Sequence, residues 1–355
     1  MGSWGLVSYG SVAELRTINY SLAFKMKNHN VLLILGNGFD LDLGYRTKYS
    51  DFVECDLEGD VRFPFVKGGE DYSDLGNYVL NATIHQWYDL ENVLAEYGKD
   101  TGAGEVIIPD DAFMYQGTRL IDFYLKEGKH VVTQESIEHD RTDYRNLVDS
   151  LARYLNHVDY SKPIEESVAA KVLRVSQDEL VPPVIYSFNY TDITLIGSYL
   201  GLHVNEAIHV HGSLKNDDII LGVGDYVKLR QSVDFMYKTS NMYRSTNLFE
   251  DLRCSDLIII FGLSMSQVDY PYFESFFNDV ARGKYTGEQK KKIFIFTKDD
   301  ESRMSILRNL RMMNNGMINL MNNAEFDIIR TNGNIDDEKV NRVLEMLVPK
   351  YSIGH

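Results

Sequence analysis

The spacing of apolar positions changes three times along the chain, and each change predicts a different kind of element. Val31 to Leu35 are five consecutive apolar residues, short enough for a buried strand, and Gly36, Asn37 and Gly38 follow at once. This reads as strand, turn, helix, with Tyr49, Phe52 and Val53 marking a further helix face and Gly59 to Gly76 a loop. From there to about Ser176 the period is helical. Trp87, Leu90, Leu94 and Tyr97 recur at helical spacing, as do Tyr144, Leu147, Val148, Leu151, Leu155 and Val158, and period-2 alternation is scarce. Beyond Pro182 and Pro183, short apolar runs alternate with helix-length segments. Val184–Phe188, Ala207–Val210, Ile219–Val223, Leu257–Phe261 and Ile293–Phe296 read as strands, and Ser302–Met321 and Asp337–Leu347 as helices around a strand at Phe326–Ile329.

The pattern predicts an α/β fold: a Rossmann-like parallel sheet of about six strands flanked by helices, with a large helical insertion after the first βα unit. Residues 1–25 form an N-terminal extension, with Met26 as the expected native start. Residues 26–58 and 180–355 make the α/β domain, and residues 59–179 an inserted, mostly helical subdomain.

Composition narrows the function classes. In 355 residues, 44% hydrophobic, there is no apolar run of the roughly 18 residues a membrane span needs and no secretory signal, so a cytoplasmic location without a membrane partner is expected. A net charge of −16 makes nucleic acid an unlikely partner, and Lys290–Lys291–Lys292 reads as a solvated lead into a strand. Cys55 and Cys254 encode neither a disulfide framework nor a structural zinc and read as buried small residues.

In an open parallel sheet a ligand sits outside the carboxyl ends of the strands, and those positions carry the candidate chemistry here. They are Gly36-Asn37-Gly38-Phe39-Asp40, Asn189-Tyr190-Thr191-Asp192, His211-Gly212-Ser213 and Gly262-Leu263-Ser264-Met265-Ser266, with Asp269 and Pro271 placed to begin a helix. Singly, each has a plain structural reading: a tight turn for the glycines, a turn residue for Asn189, a core histidine for His211. His209 and His211 fall on one strand face, but no further ligand stands at an obvious spacing, and no metal is expected. The conjunction of four strand ends carries the weight. Leu41 stands where a dinucleotide fingerprint has its third glycine, and neither a Walker loop nor a GxSxG elbow is present.

The segments GNGFDLDLGYRTKYSDF, WYDLENVL, SFNYTDI, HVHGSL, IILGVGD and FGLSMSQVDYPYF resemble the bacteriophage abortive-infection family AbiH and, more distantly, the sirtuin-like fold of NAD-using enzymes. The resemblance implies that Gly36, Asn37, Gly38, Phe39 and Gly44 form a pyrophosphate loop and that Asn189 lies beside the nicotinamide ribose. It further implies that His211 with Gly212 forms the catalytic His-Gly, that Gly262, Ser264 and Pro271 line the adenosine side, with Asp269 also expected to bind the cofactor, and that Asp40, or Asp192 after Thr191, faces the ribose. The four cysteines of a sirtuin zinc module are missing, which turns the implied activity from deacetylation to NAD hydrolysis, with Asn189, His211 and Asp40 catalytic. The alternative is a non-catalytic sensor of NAD or ADP-ribose. A phage-derived trigger and self-association are expected partners of either. A third reading makes the helical block, with Trp87, Asp89 and Glu91, a partner-binding module.

Overall fold

Residues 31–53, 73–84, 89–109, 114–115, 118–176, 182–240, 246–314, 316–333 and 335–348 are described by a computed structural model. The N-terminal extension, Met26, Cys55, Trp87 and most of the loop after Gly59 lie outside them.

In chain order the strands are β1 (Val31–Leu35), β2 (Glu105–Ile108), β3 (Met114–Tyr115), β4 (Thr118–Arg119), β5 (His130–Thr133), β6 (Val184–Ser187), β7 (Ile208–His209), β8 (Leu257–Phe261), β9 (Lys292–Thr297) and β10 (Glu325–Arg330). The main sheet has six strands in the order β10-β9-β8-β1-β6-β7. Every pairing in it is parallel. The chain builds outward from β1 through β6 to β7, then returns to the far side of β1 for β8, β9 and β10. This is a doubly wound order, and the crevice where its direction reverses lies at the carboxyl ends of β1 and β8.

β1 has no polar face because helices cover both sides of the sheet. Val31, Leu33 and Leu35 enter one core with the helix Val168–Ser176. Leu32 and Ile34 enter the other, against the helices Leu248–Cys254 and Tyr270–Ala281. Each such fully buried aliphatic side chain contributes about 1.5–3 kcal/mol. The inserted segment has a separate core, built by Leu75, Leu90, Val93, Leu94, Tyr144, Leu147, Leu151 and Leu155 on the helices Asp74–Ile84, Leu90–Gly98 and Gln134–His157.

Several expectations change. Ile219–Val223 forms no strand of the sheet: Leu221 and Val223 pack into the core of the insertion, and the Tyr144 hydroxyl donates to the Leu221 carbonyl. The sixth strand is β10 instead. The helix Val168–Ser176, on the insertion side of the boundary at 179, packs on the sheet. Short strands also interrupt the helical block, β2 pairing with β5 and β3 with β4. The loop predicted to run to Gly76 gives way to a helix at Asp74, because Asp143 accepts from both the backbone N–H and the hydroxyl of Ser73 (3.1 and 2.7 Å) and the Ser73 hydroxyl accepts from Gly76 N–H. Ser302–Met321 is two helices, Asp300–Met313 and Met317–Asn323, broken where the Asn314 side chain accepts from Gly316 N–H. Cys254 is exposed, not buried, since it lies at the solvent-facing end of its helix. Lys291 is buried, not solvated: its ammonium donates to the carbonyls of Arg253 and Ser255 (2.6 and 2.7 Å) and lies over the Tyr285 ring. Among the described residues no helix is long and apolar enough to cross a membrane.

Candidate functional site

The glycines of the first turn make a joint between backbones. Gly36 N–H donates to the Phe261 carbonyl (2.8 Å), and Gly38 N–H donates to the Gly262 carbonyl (2.9 Å), so the turn after β1 is tied to the end of β8. A Cβ on Gly36, Gly38 or Gly262 would lie 2.7, 2.5 or 2.3 Å from backbone atoms across the joint. Gly262 also has φ +69°, which favours glycine. The crevice at the switch point is thus closed at its base. The two N–H groups expected to meet a pyrophosphate are already used.

Above this joint lies a cavity of about 1050 Å³, at the large end of the about 300–1,000 Å³ typical of ligand sites. Of the residues expected at the site, Asn37, Asp40, Asn189, Thr191, His211, Gly262, Ser264 and Asp269 line it. The others serve the frame. Phe39 packs edge-on against Phe261 in the core beneath the sheet ends, with ring centroids 5.4 Å apart. Gly44 has φ +91° and ends the helix Asn37–Asp42, with Ile164 where a Cβ would go. Asp192 caps the helix Ile193–Tyr199, accepting from Thr194 N–H at 2.9 Å. Gly212 has φ +75° and lies against the Asp218 carbonyl.

Asp40 is no helix cap, because Gly36 holds that position and makes no side-chain cap. The Asp40 carboxyl is buried in the first turn of the helix, where Oδ2 accepts from the Thr191 hydroxyl at 2.9 Å and Oδ1 has no partner among the described residues. Burial pushes its pKa up to about 7, against the opposing influence of Thr191 and Asn189. Asn189 is fixed by Ser187, whose hydroxyl accepts from Asn189 N–H (3.1 Å) and donates to its carbonyl (3.0 Å).

His211 is buried edge-on to Phe188 and Tyr272, and its Nε2 lacks a partner among the described residues. Burial, aided by the charge of Lys238, holds its pKa well below the ordinary value, so the ring is neutral. His209 does not share its surroundings. β7 ends at His209, whose Nδ1 is 3.0 Å from the Asn189 carbonyl oxygen. No group of three or more His, Cys, Asp or Glu placed to hold a metal occurs among the described residues.

The opposite wall comes from the insertion. Glu91, Ala95 and Lys99 on one stripe, with Asn92 and Glu96 beside it, follow the four-residue spacing of one helix face. Leu90, Val93 and Leu94 face the insertion's own core, and Asp89 caps the helix through Asn92 N–H. Glu91 pairs with Lys238 at 2.8 Å. Asp269, with its pKa raised to about 7 by burial and partly restrained by the Lys238 charge, lies near this pair. Lys238 was invisible from the sequence, since a lone lysine after an apolar stretch carries no local signal. Tyr49, Tyr190 and Tyr226 complete this side.

A model of the family described as bacteriophage abortive infection AbiH matches residues 32–287, well over half of the chain. Comparison with curated proteins and with solved structures finds no match.

Proposed function

The chain belongs to the AbiH family of bacteriophage abortive-infection proteins, and from that premise we propose that its cleft binds NAD and hydrolyses the nicotinamide–ribose bond, depleting the cofactor in an infected cell. One observation supports this above the others. A buried carboxyl with its pKa near 7, Asp40, lines the same cavity as Asn189 and the neutral His211, and Asp40 Oδ1 and His211 Nε2 have no hydrogen-bond partner among the described residues. Buried polar atoms without partners cost free energy unless a ligand satisfies them.

The C–N bond breaks with its electron pair leaving on nicotinamide, and positive charge grows on the ribose. Asp40, ionised, would stabilise that charge electrostatically in a desolvated site. Asn189 would hold the ribose and the attacking water. His211, kept neutral, would accept a hydrogen bond from a ribose hydroxyl or that water through Nε2. As the water oxygen bonds to the ribose carbon, Asp40 would take the proton, a role suited to a group titrating near the working pH. With the glycine N–H groups engaged, the polar wall at Asn37 and Ser264 would receive the rest of the ligand.

The test is nicotinamide release from NAD by purified protein, alone and with lysate of phage-infected cells, beside Asp40→Asn, Asn189→Ala and His211→Ala. Asp40→Asn should lose about 100-fold or more. Wild-type rates in all three variants would overturn the assignment. Thermal stabilisation by NAD without release in either condition would instead favour the sensor.

A further inference from the structure

We infer that Lys238 and Glu91 form a positioning pair for this cleft, through which the inserted helical subdomain completes the site instead of serving as a separate surface. The inference deepens the reading above and rests on it for its catalytic consequence.

Lys238 is fixed at its backbone. Its N–H donates to the Val223 carbonyl (2.9 Å), and Val223 N–H returns to the Met236 carbonyl (2.8 Å). A Cβ on Gly222 would strike that Met236 oxygen at 2.4 Å, so the two segments meet as closely as glycine permits. The side chain is then directed inward, 8% exposed, onto Glu91, itself only 17% exposed. A buried ammonium persists only when a fixed partner offsets its desolvation. The partner comes from the insertion, on the first turn of the helix Leu90–Gly98, whose start Asp89 sets.

The charges of the pair also act on ionisable groups that line the cavity. The Lys238 charge acts on His211 and on Asp269. Glu91 acts on Asp269 and on Tyr49, Tyr190 and Tyr226, which line the cavity from three separate segments. Ser266 lies 3.4 Å from Asp269, within the same group. Lys238 thus opposes a second positive charge on His211 and supports a negative one on Asp269. Glu91 holds it there without leaving the wall net positive. Neither residue belongs to the Asp40, Asn189 and Thr191 cluster. Their effect reaches the reacting atoms through His211, which makes them positioning residues.

The full-length protein decides it through Lys238→Met, Lys238→Arg, Glu91→Gln and the double variant Lys238→Met/Glu91→Gln, which removes both charges and so leaves neither unpaired if the single change prevents folding. His211 is titrated by NMR of histidine-labelled protein without ligand, its signal assigned among the nine histidines by its loss in His211→Ala. Nicotinamide release is followed against pH on the same samples. Removal of Lys238, alone or in the double variant, should raise the His211 midpoint by about one pH unit and steepen the acid limb of the rate profile below that midpoint, the upper part of the limb being set by Asp40. The rate loss should be about tenfold there, mainly in kcat, with Lys238→Arg within about threefold of wild type. A His211 midpoint unchanged in the double variant would overturn the inference. A wild type that releases no nicotinamide under any condition would remove the NAD reading alone, and the His211 midpoint would still decide the pair.

Discussion

The two walls of the cavity are built from the same kinds of side chain and have opposite electrostatic characters. On the α/β wall, Asp40 and His211 each present a buried polar atom with no partner among the described residues. On the insertion wall, the acids are already engaged: Glu91 with Lys238, Asp100 with Lys228 at 2.7 Å, Glu96 with Lys99 at 3.6 Å, and Asp89 with Asn92. The first wall gains by meeting a ligand. On the second the acids are paired before any ligand arrives, and Lys238 Nζ, 2.8 Å from Glu91, has that ion pair without a well-directed hydrogen bond among the described residues. Residue types alone therefore do not mark a site. What marks it is which of them the fold leaves unsatisfied.

Substitutions on either wall test this contrast. The largest effect is expected from Gly212→Ala, beside His211, because the new Cβ would lie 1.8 Å from the Asp218 carbonyl oxygen at φ +75°. Denaturant unfolding should show a loss of about 4 kcal/mol or no folded protein. Next, Glu91→Gln on the insertion wall should lose about 3 kcal/mol by leaving Lys238 buried and unpaired. Asp40→Asn, on the unsatisfied wall, should do the reverse. The unfolded chain ionises Asp40 near its ordinary 3.8 and the folded chain near 7, so rising pH between those values favours unfolding, and above them the penalty is constant. The variant should gain about 2–4 kcal/mol above neutrality, with the advantage vanishing toward pH 4 in thermal melts. A destabilising result at pH 8 would erase the contrast. The smallest effect is Asp192→Ala, which removes a helix cap and should cost about 1 kcal/mol in the same melts.

Much of the fold was legible because β1 and β8 are five-residue apolar runs buried on both faces, a pattern with few alternatives. Ile219–Val223 shows where such reading fails. Its apolar residues are equally suited to a strand or to packing against the helix Gln134–His157, and local spacing does not name the partner. At the site, Asp40, Asn189 and His211 could be found because each directly follows a strand of the main sheet, where the topology gathers them. Lys238 and Glu91 could not, since they lie far apart in the chain and their meaning arises only when the insertion folds over the cleft. The glycines of the first turn were visible as glycines, but their use was not. The same lack of Cβ that lets a phosphate approach also lets Gly262 do so.

The raised pKa of Asp40 bears also on proton inventory. Near pH 7 this carboxyl titrates, so it is found both protonated and ionised. A ligand that brings positive charge beside it would expel that proton on binding, so the measured heat of binding would depend on the ionisation enthalpy of the buffer. A neutral or anionic ligand that accepts a hydrogen bond from the protonated acid would release nothing, or take a proton up. Calorimetry in two buffers thus reads the sign of charge that this cleft is built to receive, without any turnover.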